Sequence, residues 1–424
     1  MRVAGIVAEY NPFHNGHLYH LNRTRELCSA DYVVCVMSGN FIQRGEPAIV
    51  NKWARAKMAL LSGADLVLEL PVVYAMASAE FFAWGAVKIL DSIGVVDNIC
   101  FGSECGEVAP LEAVADILAF EPDLYKELLR EKIGMGISYP SAREEALKQY
   151  CSQTMHTFDA ASIEEIIGSP NNILGIEYIK ALKKLNSKIK PVTVKRICNS
   201  YNSEELTGAI SSATSIRKHI YETIDSKNGC IDVENHEFLP ETSFNILAEE
   251  FQNQRGPVSY NNFSDILLSI IRKMTLEELK DVPYVSEGLE NRIKDAANNS
   301  GSFDGLLDKI TTKRYTGTRI KRSLFSILAG IKKSDFEWFN ANGGPQYIRV
   351  LGFNENGKQI LAHAKKTSQL PIIVKAASFK NSDNPLIRRM LEIESAATDM
   401  YVLGYRNPEF KKAGQEFTQN VIRV

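Results

Sequence analysis

Four short runs of almost uninterrupted apolar residues stand at the head of the chain: RVAGIVAEY (2–10), DYVVCVMS (31–38), ADLVLELP (64–71) and NICFGSE (98–104). Between them lie stretches with helical patterning, GHLYHLNRTRELCSA, NKWARAKMALLSG and SAEFFAWGAVKILDSIG. Strands that are apolar on both sides, each followed by a helix, belong to a parallel sheet covered on both faces. After helical segments near 109–150 the pattern resumes with SPNNILGIEYIKALKKL, a strand KIKPVTVKRI and ISSATSIRKHI opening a further helix. The expected fold is therefore α/β: a Rossmann-like, doubly wound parallel sheet over residues 1–225, with an insertion. DSKNGCIDVENHEFLPETS is polar and turn-rich and reads as a linker. Residues 226–424 read as a mostly helical region. It ends in a small α/β segment, with strands in QYIRVLGF and PIIVKAA and helices in KQILAHAKK and IESAATDMYVLG.

Composition narrows the function classes. The 424 residues carry a net charge of −2, so any nucleic-acid surface must be a local patch. The seven cysteines are odd in number, scattered and without a CxxC pair. That argues against a disulfide framework or structural zinc and for a reducing, cytoplasmic location. No run is long and apolar enough to span a bilayer, so no membrane partner is expected. MRVAGIVAEYNPF does not read as a signal peptide.

Three of the seven histidines, His14, His17 and His20, fall directly behind the first strand, in VAEYNPFHNGHLYH (7–20). Ligands of such sheets bind beyond the carboxyl ends of the strands, which is where NPFHNGH falls. His14 and His17 are three apart and share a side of a helical first turn. Gly16 lets the backbone approach a ligand, and the helix N-terminus favours phosphate. Two imidazoles there would donate hydrogen bonds to phosphate oxygens and stabilise charge as an α-phosphorus is attacked. A metal pair is the competing reading, but HNGH lacks the HExxH pattern and shows no third ligand. No protein-bound metal is expected. Solvated loop histidines are another reading, and His20 fits a surface position equally well. A second element, ISSATSIRK (210–218), brings Ser211, Ser212, Thr214 and Arg217 to the start of a helix. The hydroxyls cap it, and the arginine can fork onto phosphate oxygens.

HNGH and SATSIR resemble the two signatures, HxGH and ISSTxIR, of the nucleotidyltransferase superfamily. Ala213 stands where that family often has a hydroxyl. VAEYNPFHNGHLYHL, VMSGNFIQRGEPAIVNKWARAKMAL, ADLVLELP, FGSE, SPNNILGIEYIKAL, SATSIRK and KRYTGTRIKR together resemble the bacterial tRNA(Met) cytidine acetate ligase family. The resemblance implies a two-step reaction. ATP and acetate give acetyl-adenylate and pyrophosphate. The N4 amine of the wobble cytidine of elongator tRNA(Met) then takes the acetyl group, leaving N4-acetylcytidine and AMP. It also implies that His14, His17 and Arg217 are catalytic, neutralising the triphosphate with Mg2+ as its companion. The implied ATP segment is Val7, Ala8, Glu9, Tyr10, Asn11, Pro12, Phe13, His14, Asn15, Gly16, His17, Leu18, Tyr19 and His20. Gly102, Asn172, Lys195, Arg196, Ser212, Thr214 and Arg217 complete it. Taken alone, Gly102 is a strand-to-loop turn, Asn172 a helix cap and Lys195–Arg196 a solvated strand end.

In SGNFIQRGEPA (38–48), Asn40, Gln43 or Arg44 would grip acetate, although an ordered structural loop fits equally well. One methyl offers only about 1–3 kcal/mol for discrimination. KRYTGTRIKR (313–322) is the expected tRNA surface. Lys313, Arg314, Arg319, Lys321 and Arg322 supply positive charge, and Tyr315 would stack on an unpaired base. A basic face on a solvated helix is the alternative. Two other classes compete. A small-molecule adenylyltransferase leaves the long C-terminal half unexplained, and a non-catalytic RNA-binding protein leaves HNGH and SATSIR unexplained.

Overall fold

The four apolar runs become β1 (Val3–Ala8), β2 (Tyr32–Ser38), β3 (Leu66–Leu70) and β4 (Asn98–Ser103), and β5 is Lys190–Lys195. The structure is a computed structural model describing residues 1–137, 139–154, 160–196, 211–224, 231, 233–312 and 315–424. The five strands pair in parallel in the order β3-β2-β1-β4-β5. Helices α1 (Asn15–Leu27), α2 (Lys52–Leu61) and α3 (Ala79–Ser92) connect the first four, and α4 (Pro170–Lys184) leads into β5. Side chains alternate across the sheet. Val34, Val36, Leu66 and Leu68 enter one core cluster, while Val33, Cys35, Met37 and Val67 enter the other. Burial on both faces is why these runs lack polar alternation. β1 lies between β2 and β4, so the chain order reverses there. A crevice opens at the carboxyl ends of the strands at such a reversal.

The C-terminal α/β segment is part of this same sheet. β6 (Ile348–Phe353) pairs antiparallel with β3, with a register shift between Val67 and Leu68. β7 (Ile372–Ile373) and β8 (Ile422–Arg423) run parallel to β6. β6 covers an edge strand that is apolar on both faces and would otherwise be open to aggregation. The larger core cluster also runs on from the sheet into the helical region. It takes in Ile320, Leu324 and Phe325 of α6 (Gly317–Ala329) and Met390, Ala397 and Tyr401 of α7 (Pro385–Val402); α5 (Ala213–Thr223) lies earlier in the chain. The boundary expected at 225/226 falls on residues outside those described, and both sheet and core cross it.

A fully buried ion cluster fastens the two ends of the chain together. Lys52, at the start of α2, reaches Glu69 on β3 at 2.6 Å, Glu416 at 2.5 Å and Glu394 on α7 at 3.4 Å. Arg349 on β6 also meets Glu416, at 3.3 Å. Three carboxyls face two cations. Burial, and then the charge of Glu394, push Glu69 well above the usual carboxylate range, against the pull of Lys52. Among the described residues no helix is long and apolar enough to cross a membrane.

Candidate functional site

A short turn from Glu9 to His14 crosses the carboxyl end of the sheet between β1 and α1. Tyr10 takes a φ of +46°, uncommon for a residue with a side chain. Its ring is buried 4.8 Å from Phe13 and edge-on to His17 at 4.9 Å. His14 is the N-cap of α1. Its Nδ1 accepts the Gly16 N–H at 3.0 Å, and His17 Nδ1 accepts the His14 N–H at 3.3 Å. Two imidazoles thus form the reciprocal capping box that Ser and Glu usually make. Their ring centres are 3.8 Å apart. With Nδ1 accepting, each neutral ring carries its proton on Nε2 and is a donor there. Burial, then Arg196 and Arg217, bring His14 down to about 3. Burial, then His14, His20 and Arg196, hold His17 well below its ordinary value, against a hydrogen bond to the Pro12 carbonyl. Burial and Arg196 bring His20 to about 4. All three rings are neutral at pH 7.

The turn forms one wall of a cleft of about 250 Å³. Val7 to Asn11, His14, Gly16, His17, Tyr19 and His20 line it. Gly102, Lys195, Arg196, Ser212, Thr214 and Arg217 join them, so most of the expected ATP residues meet in one place. Ser212 is the N-cap of α5 and accepts the Ser215 N–H at 3.0 Å. Arg217 donates to the Asn11 carbonyl at 2.8 Å and the Ala213 carbonyl at 3.0 Å, which ties the two signature motifs together. Lys195 and Arg196 are exposed at the lip. Pro12, Phe13, Asn15, Leu18 and Asn172 are not in the lining. Phe13 is core, and Asn15 donates to the Glu237 carbonyl at 2.9 Å. Asn172 is fully buried and accepts the N–H groups of Glu104 (2.9 Å) and Cys105 (3.3 Å), holding the loop after β4. Its neighbour Asn171 faces the cleft instead.

The acetate candidates divide in the same way. Asn40 is buried outside the cleft. It accepts the Lys52 N–H at 2.9 Å and donates to Thr398 at 3.3 Å. Gln43 and Arg44 do line the cleft, on a two-stranded ribbon that pairs Phe41–Ile42 with Glu46–Pro47. The Gln43 N–H donates to Glu9 Oε1 at 2.7 Å. Behind the ribbon stands α6. Gly45 has a φ of +69°, and a Cβ there would lie 2.3 Å from the backbone nitrogen of Arg322. Lys321 meets Glu46 at 2.6 Å.

These contacts occupy much of the basic motif. Lys313 and Arg314 lie outside the described residues. Tyr315 is buried and donates to the Glu287 carbonyl at 2.7 Å, so its ring is not presented to a base. Arg319 donates to the Tyr284 carbonyl (3.0 Å) and the Ser286 hydroxyl (2.8 Å), and Arg322 lies 5.0 Å over the Tyr284 ring. Among the described residues of the motif, Tyr315, Arg319, Lys321 and Arg322 contact the protein, while Thr316 and Thr318 are exposed. Sequence reasoning passed over the apolar wall of Ile42, Phe82, Phe101, Leu174 and Tyr178. These residues look like ordinary core in the sequence, and only their tertiary position marks them. Among the described residues no group of three or more His, Cys, Asp or Glu could hold a metal ion.

Comparison with known proteins matches residues 1–416 to the HIGH Nucleotidyl Transferase family. A tRNA(Met) cytidine acetate ligase of Acetivibrio thermocellus is 55% identical over 422 residues, covering 100% of both chains. One from Halothermothrix orenii is 44% identical over 429 residues with the same coverage. A crystal structure of Thermotoga maritima TmcAL bound with alpha-thio ATP superposes with a TM-score of 0.91 at 39% identity. It covers 100% of this chain and 99% of that one. The apo form of the same protein gives a TM-score of 0.94 at 39% identity, with 100% of each chain covered.

Proposed function

The chain belongs to the HIGH Nucleotidyl Transferase family and to the tRNA(Met) cytidine acetate ligases, and from that premise we propose that it activates acetate with ATP and acetylates a tRNA cytidine. The observation that carries this reading is the joining of HNGH and SATSIR through Arg217, in one cleft with the Gln43–Arg44 turn. In the first step an acetate oxygen attacks the α-phosphorus and pyrophosphate leaves. The Nε2–H of His14 and Arg217, joined by His17 when its N–H leaves the Pro12 carbonyl, stabilise the charge that grows on the phosphate oxygens. Mg2+ enters with the triphosphate as part of the substrate. Gln43 and Arg44 hold the acetate beside Glu9. In the second step the N4 amine of the wobble cytidine of elongator tRNA(Met) attacks the acetyl carbon and AMP leaves.

Lys195 and Arg196, exposed at the lip, complete the ATP site, and the C-terminal half from 226 carries the tRNA surface. The setting is the cytoplasm, where ATP, acetate and tRNA occur together. The experiment is ATP–pyrophosphate exchange without tRNA. Acetate-dependent exchange is the expected result. Exchange that ignores acetate but responds to a nucleotide or phosphate ester would favour a small-molecule adenylyltransferase.

A further inference from the structure

Glu9 is the one carboxylate among the described residues lining the cleft, where it sits with Arg44, Lys195, Arg196 and Arg217. A negative charge does not help to bind a triphosphate and an acid, so its presence calls for a chemical explanation. The proposed second step supplies one, and the inference rests on that reading. An aromatic amine that attacks an acyl carbon must lose a proton. His14 and His17 are poorly placed to take it, because Nδ1 of each is held by a backbone N–H and Nε2 already bears the proton. Tyr10 and Tyr178 are held protonated by burial. Glu9 is fixed for the task. Its Oε1 accepts the Gln43 N–H at 2.7 Å and its carbonyl accepts from Arg55 at 2.6 Å, so it rides on the turn that presents Gln43 and Arg44.

We infer that Glu9 is the general base of acetyl transfer, taking the N4 proton on Oε2 as the amine attacks. The C–N bond forms and the bond from the acetyl carbon to the AMP phosphate oxygen breaks. That oxygen keeps the electron pair, and the proton ends on Glu9. Burial raises the affinity of this carboxylate for a proton; the Gln43 N–H, then Arg217 on α5, Arg44 on the ribbon and Arg55 on α2, oppose the rise. Tyr178 on α4 also faces it and stays neutral. The net effect is a stronger base than a solvated glutamate.

Glu9→Gln keeps the acceptor for Gln43 and cannot take a proton. Two half-reactions would be compared in wild type and variant: acetate-dependent pyrophosphate exchange, and single-turnover transfer from acetyl-adenylate to tRNA. Transfer should fall at least about a hundredfold further than exchange. In wild type the transfer rate should rise about tenfold per pH unit to a plateau, and Glu9→Gln should lose that limb. Glu9→Asp should keep the limb with a lower plateau. Half-reactions that fall in step, or a higher Mg2+ requirement in exchange, would assign Glu9 to nucleotide binding and overturn the inference. A limb that survives in Glu9→Gln and vanishes in His20→Gln would transfer the role to His20. A wild type that makes acetyl-adenylate but acetylates no tRNA overturns the proposed function, and the role of Glu9 with it.

Discussion

On the proposed reading His14 has two tasks at once: Nδ1 caps α1, and Nε2–H serves the phosphate. The two can be separated. Asparagine is a good N-cap, so His14→Asn should keep stability within about 1 kcal/mol in urea denaturation, whereas His14→Ala should lose about 1 kcal/mol more. Both should lower acetate-dependent exchange about a hundredfold, the usual loss for one preorganised donor. Full exchange activity in His14→Asn would remove His14 from the catalytic set. Its titration carries a second expectation. The folded values of about 3 for His14 and about 4 for His20 lie below the ordinary 6.5. Below pH 6.5 the unfolded chain binds protons that the native state refuses. Stability is therefore full above 6.5 and falls with pH towards those values, by up to about 1.4 kcal/mol per pH unit for each ring. Urea melts at pH 7.5, 6.5 and 5.5 should show this fall, and His14→Asn should make it shallower. At this scale HNGH was legible because the functional groups are contiguous and their spacing matches a helical turn. Asn40 and Asn172 were not, because which of several neighbouring amides faces a cleft depends on distant packing partners, Thr398 for Asn40 at 358 positions and Glu104 for Asn172 at 68.

Among the elements, the ribbon at 41–47 and α6 behave as one unit. The basic character of 313–322 was plain in the sequence, but its partner Glu46 lies 275 positions from Lys321 and leaves no local signal. Lys321→Glu should set two carboxylates against each other and raise the acetate KM in exchange. The swap Lys321→Glu with Glu46→Lys should recover most of the loss, as coupled pairs do in double-mutant cycles. A rise in tRNA KM with unchanged acetate KM would return Lys321 to the tRNA surface. Gly45→Ala is strained twice over, by its positive φ and by the approach to Arg322. It should lose more than about 1 kcal/mol of stability.

For the whole molecule, the strands and helices could be read from apolar periodicity, and so could the parallel five-stranded core. The pairing of β6 with β3 could not, because a strand's pattern shows that it is buried but not beside what. The consequence is that the C-terminal α/β segment is structural to the catalytic sheet. Lys52→Met leaves three carboxyls around an apolar side chain and should lower stability by about 3–5 kcal/mol. A chain ending at 341 lacks β6 to β8 and should show no cooperative urea transition; a sharp one would mean the N-terminal sheet stands alone. The central claim concerns the complete chain, and the most direct test is to incubate it with ATP, radiolabelled acetate and elongator tRNA(Met), then digest the RNA and identify the labelled nucleoside. The account predicts N4-acetylcytidine at the wobble position, one AMP released per acetyl group transferred, and no label without ATP or when the wobble cytidine is replaced by uridine. ATP consumption with no acetyl group on the tRNA, or with AMP attached to a small molecule instead, would contradict it.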